Sequence, residues 1–325
     1  MKLTAREKEI VEALQKEPLI PQDELARQFG ISRSSVAVHI SNLMKKGIIL
    51  GKGYVFNRRV AIVVVGQVYL EIKVHGEPDS TLIDMKHTGF AYDVCRSLAD
   101  YGMNPKLITI VGNDLIGNNI LAELQTLDID TAHIYRHPGK RTCKKIVSES
   151  GLYLVEGYQE HDYQQSVEAR EWVITNCDWL IVEERYMEFV SQKTSVQNEQ
   201  NPSLCGSCYI NDNAIPEAFQ GTDLLVLGVD DFQNYDAYVK ACCQLVEAGT
   251  SNCIITDGNY NMILINGEGT RDYPLLPNQQ FNCQRELHLF LAGLVYGLSS
   301  GYPMRQAMRI ASGTAHASRT AHASS

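Results

Sequence analysis

Two stretches of this 325-residue chain hold side chains whose types and spacing could do chemistry. Near the start, Arg33, Ser34, Ser35, His39 and Asn42 recur at a spacing that turns them outward from Val36, Ile40 and Leu43 on one short helix. Small polar and basic side chains presented that way can hydrogen-bond base edges, and Lys52, between Gly51 and Gly53, is placed to meet a phosphate. Near the other end, Asn282-Cys283-Gln284-Arg285-Glu286-Leu287-His288 leads into an apolar helical run, Phe290 to Leu298. An imidazole is the side chain best suited to act as a base near neutral pH, so His288 is the one base candidate there. Glu286 suits the dipole at a helix start but competes with any phosphate bound at that point.

The elements that must position the first group follow from local signals. Thr4 and Glu7 form a capping box ahead of Ile10, Val11 and Leu14. Pro21 opens a second helix, Gly30 supplies the turn after it, and Ser32 caps a third. Ile48 to Phe56, with Lys52 at the tip, then reads as a hairpin. Helix lengths, turn glycine, cap and hairpin together resemble a winged helix-turn-helix over residues 1–57. Residues 1–59 are therefore expected to form a DNA-binding domain, and double-stranded DNA is the expected partner.

Charge divides the same way. The chain carries 29 Lys and Arg against 38 Asp and Glu, net −9. Residues 1–59 hold 11 of the former and 6 of the latter, net +5, leaving −14 on residues 60–325. The basic end suits a polyanion and the acidic body does not. Nine scattered cysteines suit a reducing compartment, and MKLTAREKEI has no secretory apolar segment, so a cytoplasmic protein without membrane contact is expected.

From Val60 onward, apolar runs at Val60–Val65, Leu107–Val111, Trp179–Val182, Leu224–Leu227 and Cys253–Thr256 alternate with helical patterns at Ile120–Leu127, Val167–Thr175 and Tyr235–Glu247. That order predicts an α/β domain with a mostly parallel sheet, closed by helices from Leu287 to Ser299 and from Met304 to about Thr314.

Val111-Gly112-Asn113-Asp114-Leu115-Ile116-Gly117, Asp128-Ile129-Asp130, Pro274-Leu275-Leu276-Pro277 and the Phe290–Leu298 helix resemble segments of ribokinase-like, phosphofructokinase-B type carbohydrate kinases. The resemblance implies an α/β/α sandwich with a small lid, to which the hairpin Arg141–Val147 and Leu152–Gly157 would belong. It also implies that Glu71, Thr88, Gly89, Asp93 and His288 stand where the family binds its sugar. The phosphate-handling positions depart from the family. Its D-T-x-G-A-G-D loop is Asn282–His288 here, with no glycine and with His288 in place of the catalytic aspartate. Its N-x-x-E becomes Val229-Asp230-Asp231 after Gly228, and its T-x-G-x-x-G becomes Thr256-Asp257-Gly258-Asn259-Tyr260-Asn261. A loop without its anion cradle loses most of the stabilisation of phosphoryl transfer.

The expectation is thus a transcriptional regulator, with a DNA-binding domain at 1–59 and a catalytically inactive sensor domain at 60–325. No catalytic residue, cofactor or metal is expected. The effector would be a small sugar- or nucleoside-like molecule, and an acidic lining of Glu71, Thr88, Gly89 and Asp93 would favour hydroxyls or amines over anions. A homodimer or higher symmetric assembly would read an inverted repeat. The alternatives are a working carbohydrate or pseudouridine kinase with an N-terminal helix-turn-helix, and a second domain that binds no metabolite and serves only for dimerisation. Cys205-Gly206-Ser207-Cys208 has metal or redox spacing without a partner motif, and Glu183-Glu184, at a strand end where an α/β pocket opens, read as ordinary strand-end charges for want of a partner motif.

Overall fold

A computed structural model describes residues 4–16, 20–45, 49, 60–76, 82–148, 151–194, 201–211 and 215–323. Its contacts divide the chain into two units, residues 1–59 and 60–325.

The first unit contains α1 (Ala5–Lys16), α2 (Gln22–Phe29) and α3 (Arg33–Lys45). The capping box closes: Glu7 accepts from the Thr4 N–H at 2.7 Å, and Thr4 Oγ1 from the Glu7 N–H at 3.2 Å. Gly30 ends α2 with a φ of 63°, a left-handed conformation that sends the Ile31 N–H back to the Ala26 carbonyl. Ser32 Oγ accepts from the Ser35 N–H at 3.1 Å and so starts α3. Ile10, Leu14, Leu25, Val36, Ile40, Leu43 and Ile49 form the core of this unit. The expected wing beyond Ile49, with Lys52, lies outside the described residues.

The second unit runs β1 (Ile62–Val65), β2 (Tyr69–His75), β3 (Leu82–Thr88), α4 (Phe90–Asp100), β4 (Lys106–Ile108), β5 (Ile110–Gly112), α5 (Leu115–Thr126), β6 (Tyr135–His137), β7 (Lys144–Ser148) and β8 (Gly151–Glu156). It continues with α6 (Glu160–Glu168), α7 (Glu171–Thr175), β9 (Trp179–Val182), α8 (Glu184–Thr194), β10 (Ser203–Tyr209), β11 (Leu224–Gly228), α9 (Tyr235–Glu247), β12 (Asn252–Thr256), β13 (Asn261–Asn266), β14 (Gly269–Pro274), α10 (Cys283–Ser299) and α11 (Met304–Ala323). Among the described residues the main sheet has eight strands, ordered β14-β13-β12-β11-β10-β9-β1-β4. It is parallel from β12 to β4, with β13 and β14 added antiparallel at one edge. The lid is a separate four-stranded sheet, β3-β2-β7-β8.

Alternate residues of each main-sheet strand feed two cores. Ile62, Val64, Ile181, Cys205 and Val226 pack beneath α4, α10 and α11, whereas Val63, Val65, Val182, Cys208 and Leu227 pack with residues of α6 to α9. The spacing of Cys205 and Cys208 therefore places their thiols on opposite faces of one strand, and the C-x-x-C cannot converge on a metal.

Some elements differ from the expectation. Leu107–Val111 is two strands: β4 joins the main sheet, the Thr109 carbonyl accepts from the Tyr135 N–H at 2.8 Å, and β5 pairs with β6. Val167–Thr175 divides between α6 and α7, and α11 runs on to Ala323.

Helix α10 lies against α11 at the distance that two glycines permit. A Cβ on Gly293 would come 2.3 Å from Thr314 Oγ1 and 2.9 Å from Ala311 Cα, and one on Gly297 would come 2.8 Å from Ala307 Cα and Cβ. Gly297→Ala would gain about 1 kcal/mol of helix propensity, but it must push the helices apart in a close-packed interface. It is expected to destabilise the domain by about 1–3 kcal/mol. Thermal unfolding followed by circular dichroism checks this; an unchanged or raised Tm would show that the close approach is not needed.

Candidate functional site

Four of the five expected ligand-binding residues meet at the start of α4. Thr88 ends β3, and its hydroxyl donates to Asp93 Oδ2 at 2.8 Å. His288 reaches in from α10, with Nε2 3.5 Å from the same oxygen and its ring 6.0 Å from that of Phe90. Between them Gly89 has a φ of 129°, and a Cβ there would lie 2.5 Å from the Gln67 carbonyl oxygen, so no other residue fits. Burial alone would raise the pKa of Asp93. His288, the Thr88 hydroxyl and the Gly89 backbone outweigh it and hold the carboxyl below its ordinary range.

Glu71, the fifth, comes from the lid. In register, Tyr69 lies opposite Thr88, while Glu71 lies between Lys86 of β3 and Lys145 of β7. Two residues apart on one strand, Tyr69 and Glu71 share a face. Glu71 Oε1 is 3.4 Å from Lys73 Nζ and 3.7 Å from Lys86 Nζ, and Lys145 Nζ sits 3.8 Å above the Tyr69 ring. The expected acidic lining is therefore corrected to one in which lysines alternate with carboxylates. The phenol of Tyr69 is pushed up first by burial and then by Glu71, Asp93 and Glu183, which marks those carboxylates as its neighbours.

Glu183 is the residue that sequence reasoning missed. Glu184 is exposed in the first turn of α8, but Glu183 turns inward, and its Oε2 accepts from the Gln67 N–H at 2.5 Å. Burial raises its pKa against the pull of that N–H, Lys145, Arg185 and His288. Gly66 makes the room, since a Cβ there would lie 2.8 Å from the Phe90 ring and 2.9 Å from Glu183 Oε2. The available signal was position: Glu183 follows β9 at its carboxyl end, beside β1, where ligands of parallel sheets gather.

Glu71 Oε1 and His288 Nε2 are both shielded from solvent and make no hydrogen bond of good geometry among the described residues. Buried polar atoms normally have partners. A ligand with several hydroxyls would supply them.

The other end of the site is arranged differently. Helix α10 begins at Cys283, not at the expected Leu287, so the N–H groups of Leu287 and His288 fall in its second turn and bond to carbonyls four residues back. Asn282 Oδ1 accepts from the Arg285 N–H at 3.1 Å, and the Glu286 carboxylate, only 5% exposed, folds back to accept from the Asn282 N–H. The loop after β12 has the same character. Asp257 Oδ1 accepts from the N–H groups of Asn259, Tyr260 and Asn261 at 3.0, 2.9 and 3.3 Å. At each of these points a carboxylate of the chain accepts from backbone N–H groups, three at Asp257 and one at Glu286. The Cys283 thiol between them is pushed up to about 12 by burial and then by Asp257, with Glu286 and Asp230 adding to it.

On α3, Arg33 and Ser34 are exposed, and Ser35, His39 and Asn42 are half-buried. Arg33 Nε lies 3.4 Å from Asp23 Oδ1 of α2, and the Ser34 and Ser35 hydroxyls each lie 2.8 Å from Ser32 Oγ. Ser34, Ser35, Val38 and His39 line a shallow depression of about 280 Å³.

Comparison with known proteins agrees with both halves. Residues 3–49 match the winged helix-turn-helix DNA-binding family, and residues 62–200 match the pfkB family of carbohydrate kinases. The uncharacterized sugar kinase YeiI of Escherichia coli is 29% identical over 211 residues, 54% of this chain and 58% of that protein. The bifunctional protein HldE of Trichlorobacter lovleyi is 23% identical over 252 residues, 69% of this chain and 50% of its own length. The chain thus spans between half and three fifths of these curated relatives. A ribokinase from Thermotoga maritima superposes with a TM-score of 0.61 at 15% identity, covering 78% of this chain and 90% of its own. A carbohydrate kinase from Agrobacterium tumefaciens gives 0.61 at 16% identity, covering 79% and 89%. At such identities the likeness is one of fold. Residues 3–49 are thus similar to winged helix-turn-helix DNA-binding segments and residues 62–200 to pfkB carbohydrate kinases, and the second unit has the ribokinase-like fold.

Proposed function

We propose that the chain is a cytoplasmic transcriptional regulator, with residues 1–59 binding DNA and residues 60–325 sensing a small sugar- or nucleoside-like metabolite without phosphorylating it. The observation that carries this reading is that Asp257 accepts from three backbone N–H groups after β12 and Glu286 from that of Asn282 at the start of α10. A bound phosphate would have to displace a buried carboxylate and then sit among Asp230, Asp257 and Glu286. At the other end, Glu71 Oε1 and His288 Nε2, buried and without a hydrogen bond of good geometry among the described residues, support a ligand site. No helix among the described residues is long and apolar enough to cross a membrane.

A homodimer is part of the same proposal. On the lid face away from Glu71, Met85, Ile72 and Ile146 lie in one cross-strand row, and Met85 and its neighbour Ile83 are 67% and 58% exposed. An uncovered apolar row of this kind supports pairing through the lids. The two recognition helices would then read an inverted repeat with half-sites about 34 Å apart, or a multiple of that. The likeness to the sugar kinase YeiI and the Asp93–His288 pair favour the alternative, a working kinase; turnover separates the two.

With magnesium ATP and a panel of sugars and nucleosides, turnover is expected to stay below about 1 per second, the low end of kinase rates. A faster rate on any of them overturns the inactive assignment.

Unphosphorylated sugars and nucleosides should include a compound that raises Tm, by mass action worth about 2.7 kcal/mol at a hundredfold excess over Kd. Asp93→Ala and Glu183→Gln should each abolish that shift. If both variants keep it in full, the ligand binds elsewhere.

Arg33→Ala should weaken binding to a selected operator by about 1–3 kcal/mol and relax its sequence preference. Lys52→Ala should weaken all sequences alike and flatten the salt dependence by about one phosphate contact. Titrations at several salt concentrations check both, and unchanged binding in both variants would remove α3 from the interface.

A further inference from the structure

Of the two residues of α3 that point most directly away from its own core, Lys45 ends the helix and the other, Val38, is apolar. Val36, Ile40 and Leu43 are buried and set the inward direction of the helix. At about 100° per residue, Val38 lies within about 15° of the opposite direction. It is 58% exposed, with Ser34 and Ser35 one turn before it, Ser41 and Asn42 one turn after, and His39 beside it. Arg33, by the same geometry, lies only about 55° from the inward direction and is engaged by Asp23. A β-branched residue at the outermost point of a helix adds nothing to the core and forms helix less readily than alanine. Its neighbours are small hydroxyl and amide side chains that leave it uncovered, and together Ser34, Ser35, Val38 and His39 shape the depression described above.

The occupant is argued from the unit that carries this helix. Residues 1–59 are net +5 on a chain of net −9 and match a DNA-binding family over residues 3–49. In the major groove, three of the four bases present only hydrogen-bonding groups beyond their ring edges, and thymine alone presents a methyl. We infer that Val38 is a specificity-determining residue that packs on the 5-methyl group of a thymine in each half-site, between hydrogen bonds made by the polar residues one turn to either side. The inference rests on the DNA-binding reading and makes it specific.

The test changes the DNA first. The sequence bound most tightly by the full-length protein is selected from a random pool, and each thymine in it is replaced in turn by deoxyuridine, which removes only the methyl. One position per half-site should lose about fourfold in affinity, the contribution of one buried methyl. Val38→Ala, at an exposed position, should not lower the melting temperature and should bind the thymine and uracil forms alike. The inference is overturned if no thymine is sensitive, or if the sensitive thymine remains equally sensitive in Val38→Ala. It is also overturned if Val38→Ala alters only the sedimentation of the protein, which would make the valine a protein contact. Should the pool yield no sequence bound better than random DNA, the regulator reading itself fails and the inference falls with it.

Discussion

The first N–H groups of a helix have no partner within it, and whatever satisfies them decides what that helix end can hold. In α10 two of them are met from within: Asn282 Oδ1 accepts from the Arg285 N–H, and the Glu286 carboxylate accepts from the Asn282 N–H. Much else depends on this arrangement. It lets α10 start at Cys283, which fixes His288 in a regular turn beside Asp93 instead of at the tip of an open loop. It also seats Cys283 against Gly228 and Gly258, where an added Cβ would lie 2.9 Å from Cys283 Cβ and 3.0 Å from its sulfur, respectively. The helix then continues through Gly293 and Gly297 into its contact with α11. A carboxylate at the helix start stabilises the fold at the point where an anion cradle would have to remain open and unpaired.

The sugar end keeps the opposite character. Its polar groups come from four separate elements, the lid strand β2, the β3–α4 junction, the end of β9 and the second turn of α10, and they are incompletely paired with one another. Incomplete pairing costs stability, on the order of 1–3 kcal/mol for each buried unsatisfied group. The two ends of the site thus differ in how far the chain's own side chains engage their polar groups.

The parts legible in the sequence were those set by local rules. The capping box of Thr4 and Glu7, the turn at Gly30, the cap at Ser32 and the alternation of apolar strands with helices each depend on residues a few positions apart. Thr88, Gly89, Asp93 and His288 were placed by motif position, and the structure brings them together. Glu183 was illegible because its inward turn depends on Gly66 and Gln67, more than a hundred residues earlier. The neutralising lysines around Glu71 depend on strand register, which composition does not reveal. The early start of α10 was missed because Asn282 reads as a loop residue unless Glu286 is known to fold back. Val38 was passed over because an apolar residue on a helix reads first as core, and only the direction of Val36, Ile40 and Leu43 shows that it is not.

The strand β10 carries one consequence of its alternation. Cys205 lies in the layer beneath α4, α10 and α11, and Cys208 lies in the layer on the other face, at 0% and 7% exposure. Burial holds both thiols above their ordinary range, so neither reacts readily while its layer is closed. An alkylating reagent can therefore reach each sulfur only as its own side of the sheet opens, and the two labelling rates form an internal clock for local unfolding of either layer. Three residues apart on a single strand, these cysteines would show whether the layer that carries His288 loosens independently of the one behind it.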